Sequence, residues 1–125
     1  MRLLLDTSAL LLALSEPERL AAEARTAIED PGSTVLVSAA SAWEIAIKRS
    51  LGKLEAPESI VGAIRDAGFE TLDITPEHAE RAGTLPPHHR DPFDRMLVAQ
   101  ALAEDCMLLT RDDGLKAYEV PILDA

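Results

Sequence analysis

"RLLLDTSALLLAL", residues 2–14, sets a single acid inside an otherwise almost wholly apolar run. An ionised Asp taken from water without partners costs many kcal/mol, so it pairs, binds a cation or is neutralised. Asp6 therefore stands at the end of an element, where water reaches it, or it faces a positive partner. The leucines before it read as a buried strand, and "TSALLLALS" after it reads as a helix.

The same alternation continues along the chain. Strands are expected at 3–5, 34–37, 69–74 and 107–110, with a weak fifth at 120–123, where Pro121 suits an edge. Helical patterns fall between them, at 7–15, 17–30, 39–52, 57–68, 75–85 and 91–105. Pro57 suits a first helical turn, Gly68 a stop, and Thr75 an N-cap. Strands alternating with helices imply parallel pairing through right-handed crossovers, hence an α/β/α sandwich with a mostly parallel sheet of four or five strands. The 125 residues fit one domain, 1–125, with one sizeable core. No repeat, low-complexity tract or linker interrupts it. The most irregular stretch is "LPPHHRDP", 85–92.

Composition excludes some function classes. The net charge of −10 argues against broad non-specific binding to nucleic acid. It leaves room for a nucleic-acid substrate held through cations and a local basic patch, and it suits a basic protein partner. The single cysteine, Cys106, cannot form an intrachain disulfide. Beside "MLLT" it reads as a buried thiol in a reducing compartment, the cytoplasm. Asp6 breaks the N-terminal apolar run too early for an export signal, and no stretch reaches the ~20 apolar residues of a membrane span.

In parallel α/β sheets ligands bind beyond the C-terminal ends of the strands. Asp6 follows the first strand and Asp112 the fourth, so both reach the same sheet edge. Ala40, Glu44, Ile47 and Leu51 share one side of a helix, which turns Glu44 toward the sheet. Asp94 leads a similar stripe through Leu97, Val98 and Ala101. Four acids can thus converge on one pocket. Clustered carboxylates repel and raise each other's pKa unless cations are present. A hard divalent cation resolves the conflict. Two such ions roughly 4 Å apart can activate a water and stabilise the leaving oxygen of a phosphodiester.

Each acid also has a plainer reading. Asp6 can cap the helix that begins at Thr7. Asp91-Pro92-Phe93-Asp94 fits N-cap, N1, N2 and N3, as in a capping box, which suits Asp91 well and competes for Asp94. Glu44 can be a half-exposed helix residue. Asp113-Gly114 looks like a turn, which favours Asp112 over Asp113 as the fourth acid. His88 and His89 lack metal-ligand spacing with Cys106 or His78. Trp43 reads as core rather than as a base-stacking platform. Lys48, Arg49 and Lys53 form the clearest basic patch, for phosphate contact or for solvating a helix end.

Taken together, "LLLDTSALL", "SAASAWEIAIKRSLGKL", "HRDPFDRMLVAQA" and "LLTRDDGL" resemble PIN-domain ribonucleases, and within them the VapC-type toxins of bacterial toxin–antitoxin pairs. The resemblance covers nearly the whole chain in the family's order. It implies that Asp6, Glu44, Asp94 and Asp112 hold Mg²⁺ or Mn²⁺ for RNA cleavage by a metal-activated water. It makes Thr7, Ser8 and Thr110 supporting hydrogen-bonders. It further implies a structured RNA substrate, often transfer RNA, a homodimer, and a small antitoxin that sets a basic side chain in the acidic pocket. Two rival classes fit the α/β pattern: a receiver-like phosphoacceptor domain and a non-catalytic binding module. Against the first, Asp6 is followed by Thr-Ser rather than a second acid, and no Lys follows a late strand. A haloacid-dehalogenase-type phosphatase would need an acid where Ser8 stands.

Overall fold

Leu3, Leu4 and Leu5 are fully buried, which places the opening strand at the centre of the protein. The computed structural model describes all residues 1–125. Its five strands are β1 (Arg2–Leu5), β2 (Thr34–Ser38), β3 (Glu70–Leu72), β4 (Met107–Thr110) and β5 (Ile122–Asp124). They form one sheet in the order β3-β2-β1-β4-β5, with every pairing parallel. Leu4 lies level with Leu36 on one side and Leu108 on the other.

Side chains alternate across a strand, so one run of leucines feeds two cores. Leu3, Leu5, Val35, Val37 and Leu109 pack on one face. They meet Leu10 of α1 (Thr7–Ser15), Ala24 of α2 (Ala22–Glu29), Ile45 of α3 (Ala39–Ser50) and Ile64 of α4 (Ile60–Asp66). Leu4, Leu36 and Leu108 pack on the other face, against Leu97, Val98 and Ala101 of α6 (Pro92–Ala103). Each fully buried leucine contributes about 1.5–3 kcal/mol. α5 (Pro76–Thr84) lies on α6. A capping box of Thr75 and His78 starts it, and His78 Nε2 meets Glu104 Oε1 at 2.8 Å. Cys106 is buried in the second core, and that burial pushes its thiol pKa up. No helix is long and apolar enough to cross a membrane.

The expected α/β/α sandwich is present, with local differences. The helix expected over 17–30 is divided. A 3₁₀ turn at Pro17–Arg19 gives way to extended backbone at Leu20, which turns that side chain inward before α2 begins. Pro57 does not open a helix; α4 starts later, with Ser59 as N-cap accepting from the Gly62 N–H at 3.0 Å. The third strand shortens to three residues. The fifth begins only at Ile122: Pro121 has no N–H to donate, although its carbonyl accepts the Leu108 N–H at 2.8 Å. On α3 the inward side carries Ala40, Ser41, Glu44 and Ile45, while Leu51 lies past the helix end and is exposed.

α6 ends in a Schellman motif. The Cys106 N–H reaches the Ala101 carbonyl at 2.9 Å across Asp105, whose φ is +54°. A side chain in that left-handed conformation costs about 1 kcal/mol, which glycine avoids. Asp105→Gly is therefore expected to stabilise the chain by about 0.5–1 kcal/mol, read as a higher urea midpoint at unchanged slope.

Candidate active site

The sheet order reverses between β1 and β4, and a crevice opens there at the strands' C-terminal ends. Asp6 leaves β1 at this point and Asp112 follows β4. α3 and α6 bring Glu44 and Asp94 to the same place. All four carboxylates line one cavity of about 630 Å³, together with Lys48 and Lys53.

Asp6 fills both roles that its position allows. Its Oδ1 accepts the Ala9 N–H at 2.8 Å and so caps α1, while Oδ2 accepts the Thr110 hydroxyl at 2.5 Å. Glu44 is buried, with Oε1 accepting from the Thr7 hydroxyl at 2.5 Å and Oε2 paired with Lys48 Nζ at 2.8 Å. Ser8 lines the cavity without bonding to any of the four.

Asp91 is the N-cap of α6, accepting from the N–H groups of Phe93 (2.8 Å) and Asp94 (3.3 Å). The reciprocal half of a capping box is not formed. The Asp91 N–H donates instead to His89 Nδ1 at 3.1 Å, which leaves the Asp94 carboxylate free to face the cavity. Asp112 accepts the Gly114 N–H at Oδ1, 2.8 Å, and meets His89 Nε2 at Oδ2, 2.9 Å. Asp113 points away: its side chain is 85% exposed and paired with Lys116. Geometry thus places Asp112, and not Asp113, with the other acids.

The electrostatics follow from this crowding. Burial, first, and then the Asp91 carboxylate push the Asp94 pKa up to about 7; Asp6 and Glu44 add to the rise, and a proton on both nitrogens of His89 would oppose it. Asp6 is raised above the usual carboxylate range by burial, against the lowering effect of its bonds to Thr110 and Ala9. The bond to Glu44 raises Lys48. The wall is therefore an oxygen-rich, partly desolvated set that ionises at a cost. Carboxylate oxygens without a thiolate among them suit a hard divalent cation, so these residues fit one.

Three expectations change. Trp43 is not core: it is 62% exposed and stands edge-on to Phe93, with ring centroids 5.4 Å apart. The sheet-facing side of α3 is taken by Ala40, Glu44 and Ile45, which leaves Trp43 outside. The basic patch is split, because Arg49 turns to the Glu58 carbonyl at 3.0 Å while Lys48 and Lys53 stay on the cavity. His89, whose spacing to Cys106 and His78 marks no ligand set, lies within reach of two acids; its Nε2 is 3.6 Å from Asp94 Oδ2. One ligand atom each from His89, Asp94 and Asp112 falls within 4.8 Å of the others. No periodic signal marks such a contact, since it depends on how loop 85–91 folds. Arg111 also lines the cavity, with its guanidinium bonded to the Arg19 and Ala125 carbonyls.

The PIN domain family matches residues 3–121. The chain belongs to the PIN domain family. Among curated proteins, this PIN domain is 40% identical to ribonuclease VapC16 of Mycobacterium tuberculosis over 72 residues, 54% of this chain and 43% of that protein. It thus matches less than half the length of that relative. It is 29% identical to ribonuclease VapC22 of the same organism over 110 residues, 86% of this chain and 84% of that protein. Among solved structures it superposes on a chain of VapBC2 from Rickettsia felis, bound to a promoter DNA fragment, with TM-score 0.74 at 16% identity. That match covers 99% of this chain and 98% of the other. DNA-bound VapBC from Salmonella typhimurium gives TM-score 0.70 at 18% identity, with 99% and 98% covered. At such identities the structures establish a common fold.

The Asp94 shift has a stability consequence. A carboxyl that titrates higher folded than unfolded lends stability below its unfolded pKa of 3.8, and loses it as pH rises through about 7. Near pH 8 the cation-free PIN domain holds Asp94 ionised at a cost. Asp94→Asn removes that cost. With the side chain 21% exposed, screening leaves a gain of about 1–2 kcal/mol. The variant's melting temperature is expected above the native one near pH 8, with the gap closing toward pH 4; a constant gap at all pH values would contradict the account.

Proposed function

We propose that this PIN domain is a divalent-cation-dependent endoribonuclease and the toxin of a toxin–antitoxin pair. The observation that carries the reading is the convergence of Asp6, Glu44, Asp94 and Asp112 on one cavity that also holds Lys48 and Lys53. The relatives named ribonucleases and the fold shared with VapBC chains support it.

The four carboxylates would hold Mg²⁺ or Mn²⁺. Such a cation would supply Lewis acidity, toward a phosphodiester oxygen and toward a water nucleophile. The chain's own groups set the stage. The Ala9 N–H and Thr110 hydroxyl fix both oxygens of Asp6. The Thr7 hydroxyl fixes Glu44. Lys48 and Lys53 offer contacts to backbone phosphates, which position an RNA without reading its sequence. They do so on a chain whose charge of −10 otherwise repels RNA, so binding concentrates at this cavity. The substrate class is structured RNA, transfer RNA included, and the site of action is the cytoplasm.

The proposed partners follow from the surface. A small antitoxin with a cationic side chain complements the acidic cavity. A second copy complements the outer side of α3 and α4. There Ala39, Ala42 and Val61 line a shallow groove, and Trp43 lies on the turn of α3 that follows Ala39.

Two measurements test this. Incubated with total RNA and Mg²⁺ or Mn²⁺, the native chain is expected to cleave. EDTA abolishes cleavage, and Asp94→Asn lowers the rate at least about a hundredfold while keeping a cooperative melt. Cleavage that survives EDTA and Asp94→Asn contradicts the mechanism, and no cleavage by the native chain favours a non-catalytic module. In sedimentation, Trp43→Glu is expected to turn a dimer into a monomer that still melts cooperatively; a native monomer contradicts the homodimer.

A further inference from the structure

Loop 85–91 is held by the side chain of Arg95. The Arg95 guanidinium, on α6, bonds to no carboxylate. It donates to the carbonyls of Ala82 (2.9 Å), Pro86 (3.0 Å), Leu85 (3.1 Å) and His89 (3.4 Å), and to the Tyr118 hydroxyl (3.2 Å). That hydroxyl donates to the Pro86 carbonyl at 2.9 Å and accepts the His89 N–H at 3.1 Å. The rigid fork of a guanidinium gathers several acceptors in one plane, so Arg95 shapes the loop as lysine could not.

The shape presents one ring. The Asp91 N–H donates to His89 Nδ1 at 3.1 Å, so Nδ1 keeps its lone pair and the ring proton is on Nε2. Nε2–H then donates to Asp112 Oδ2 at 2.9 Å. Coordination of a cation through Nε2 would move that proton to Nδ1 and leave the Asp91 N–H at the start of α6 without its acceptor. Space enforces the same contact: a Cβ on Gly114 would lie 3.0 Å from Asp112 Oδ1 and 3.4 Å from His89 Cδ2.

We propose that His89 is a positioning residue of the acid cavity: an Nε2–H donor that fixes the Asp112 carboxylate for a divalent cation, without being a ligand itself. The inference rests on the nuclease reading. It assigns Arg95 and Tyr118, which touch none of the four acids, to the task of presenting that donor. The same N–H holds Asp112 in place beside Asp94, so a cation would meet a preformed wall.

Two readouts test it. The first is the ¹⁵N spectrum of the histidine rings in the cation-free native chain. The proposal expects the Nε2–H tautomer for His89, with its resonances displaced in Asp112→Asn; an Nδ1–H tautomer overturns it. The second is Mg²⁺ affinity by calorimetry, without RNA, for the native chain, His89→Ala and His89→Gln. The Gln amide nitrogen reaches the place of Nε2. His89→Ala is expected to bind at least about tenfold more weakly, and His89→Gln to stay within about threefold of native. An Ala variant that binds like native overturns the positioning role, and a Gln variant as weak as Ala marks His89 as a ligand instead. Absence of Mg²⁺ binding by the native chain, with the Nε2–H tautomer intact, overturns the nuclease reading on which the inference stands.

Discussion

The Asp6 carboxylate ties three elements together. One oxygen holds the Ala9 N–H of α1 and the other holds the Thr110 hydroxyl at the end of β4. The Asp6 N–H itself donates to the Leu109 carbonyl at 3.0 Å. Strand, helix and neighbouring strand thus meet at one buried acid, where the sheet order reverses. An acid that is 6% exposed would be a liability without those bonds. With them it is affordable, and it fixes where the other acids must gather.

Those acids share a second property. Asp6, Asp91 and Asp112 each accept backbone N–H groups at the start of a helix or 3₁₀ turn, and Asp94 lies in the first turn of α6. Helix N-termini favour negative charge, so the residues that start these elements also line the cavity. Capping and cation binding are compatible readings of one carboxylate, since each of its oxygens carries two lone pairs and a cap bond uses only one of them. Asp94 is the exception, and it explains itself. Its reciprocal cap bond is replaced by His89 Nδ1, so its carboxylate keeps no structural duty and carries the largest cost of ionisation.

Much of this was legible in the sequence. Short apolar runs gave the strands, because a buried parallel strand needs no polar alternation. The acids at strand ends followed from parallel pairing, and Asp94 from its stripe on α6. What escaped had physical reasons. Trp43 is a large apolar residue on a helix with only a narrow buried side, so composition favoured core where geometry left it outside. The inward side of α3 turned by one residue from the expected stripe. The break at Leu20 costs one helical turn and carries no Gly or Pro at the break itself. The contact of His89 with Asp112 depends on five bonds from Arg95, and no local pattern reports tertiary bonds of that kind.

The central claim is that the carboxylates at the β1/β4 crevice form a preorganised divalent-cation site whose mutual repulsion a cation relieves. The most direct measurement is thermal unfolding of the native chain and of Asp94→Asn near pH 8, with and without Mg²⁺. At about a hundred times its dissociation constant, Mg²⁺ should stabilise the native chain by about 2.7 kcal/mol, a rise of about 10 °C in melting temperature. The variant should gain little. Equal shifts in both chains, or none in either, would contradict the account.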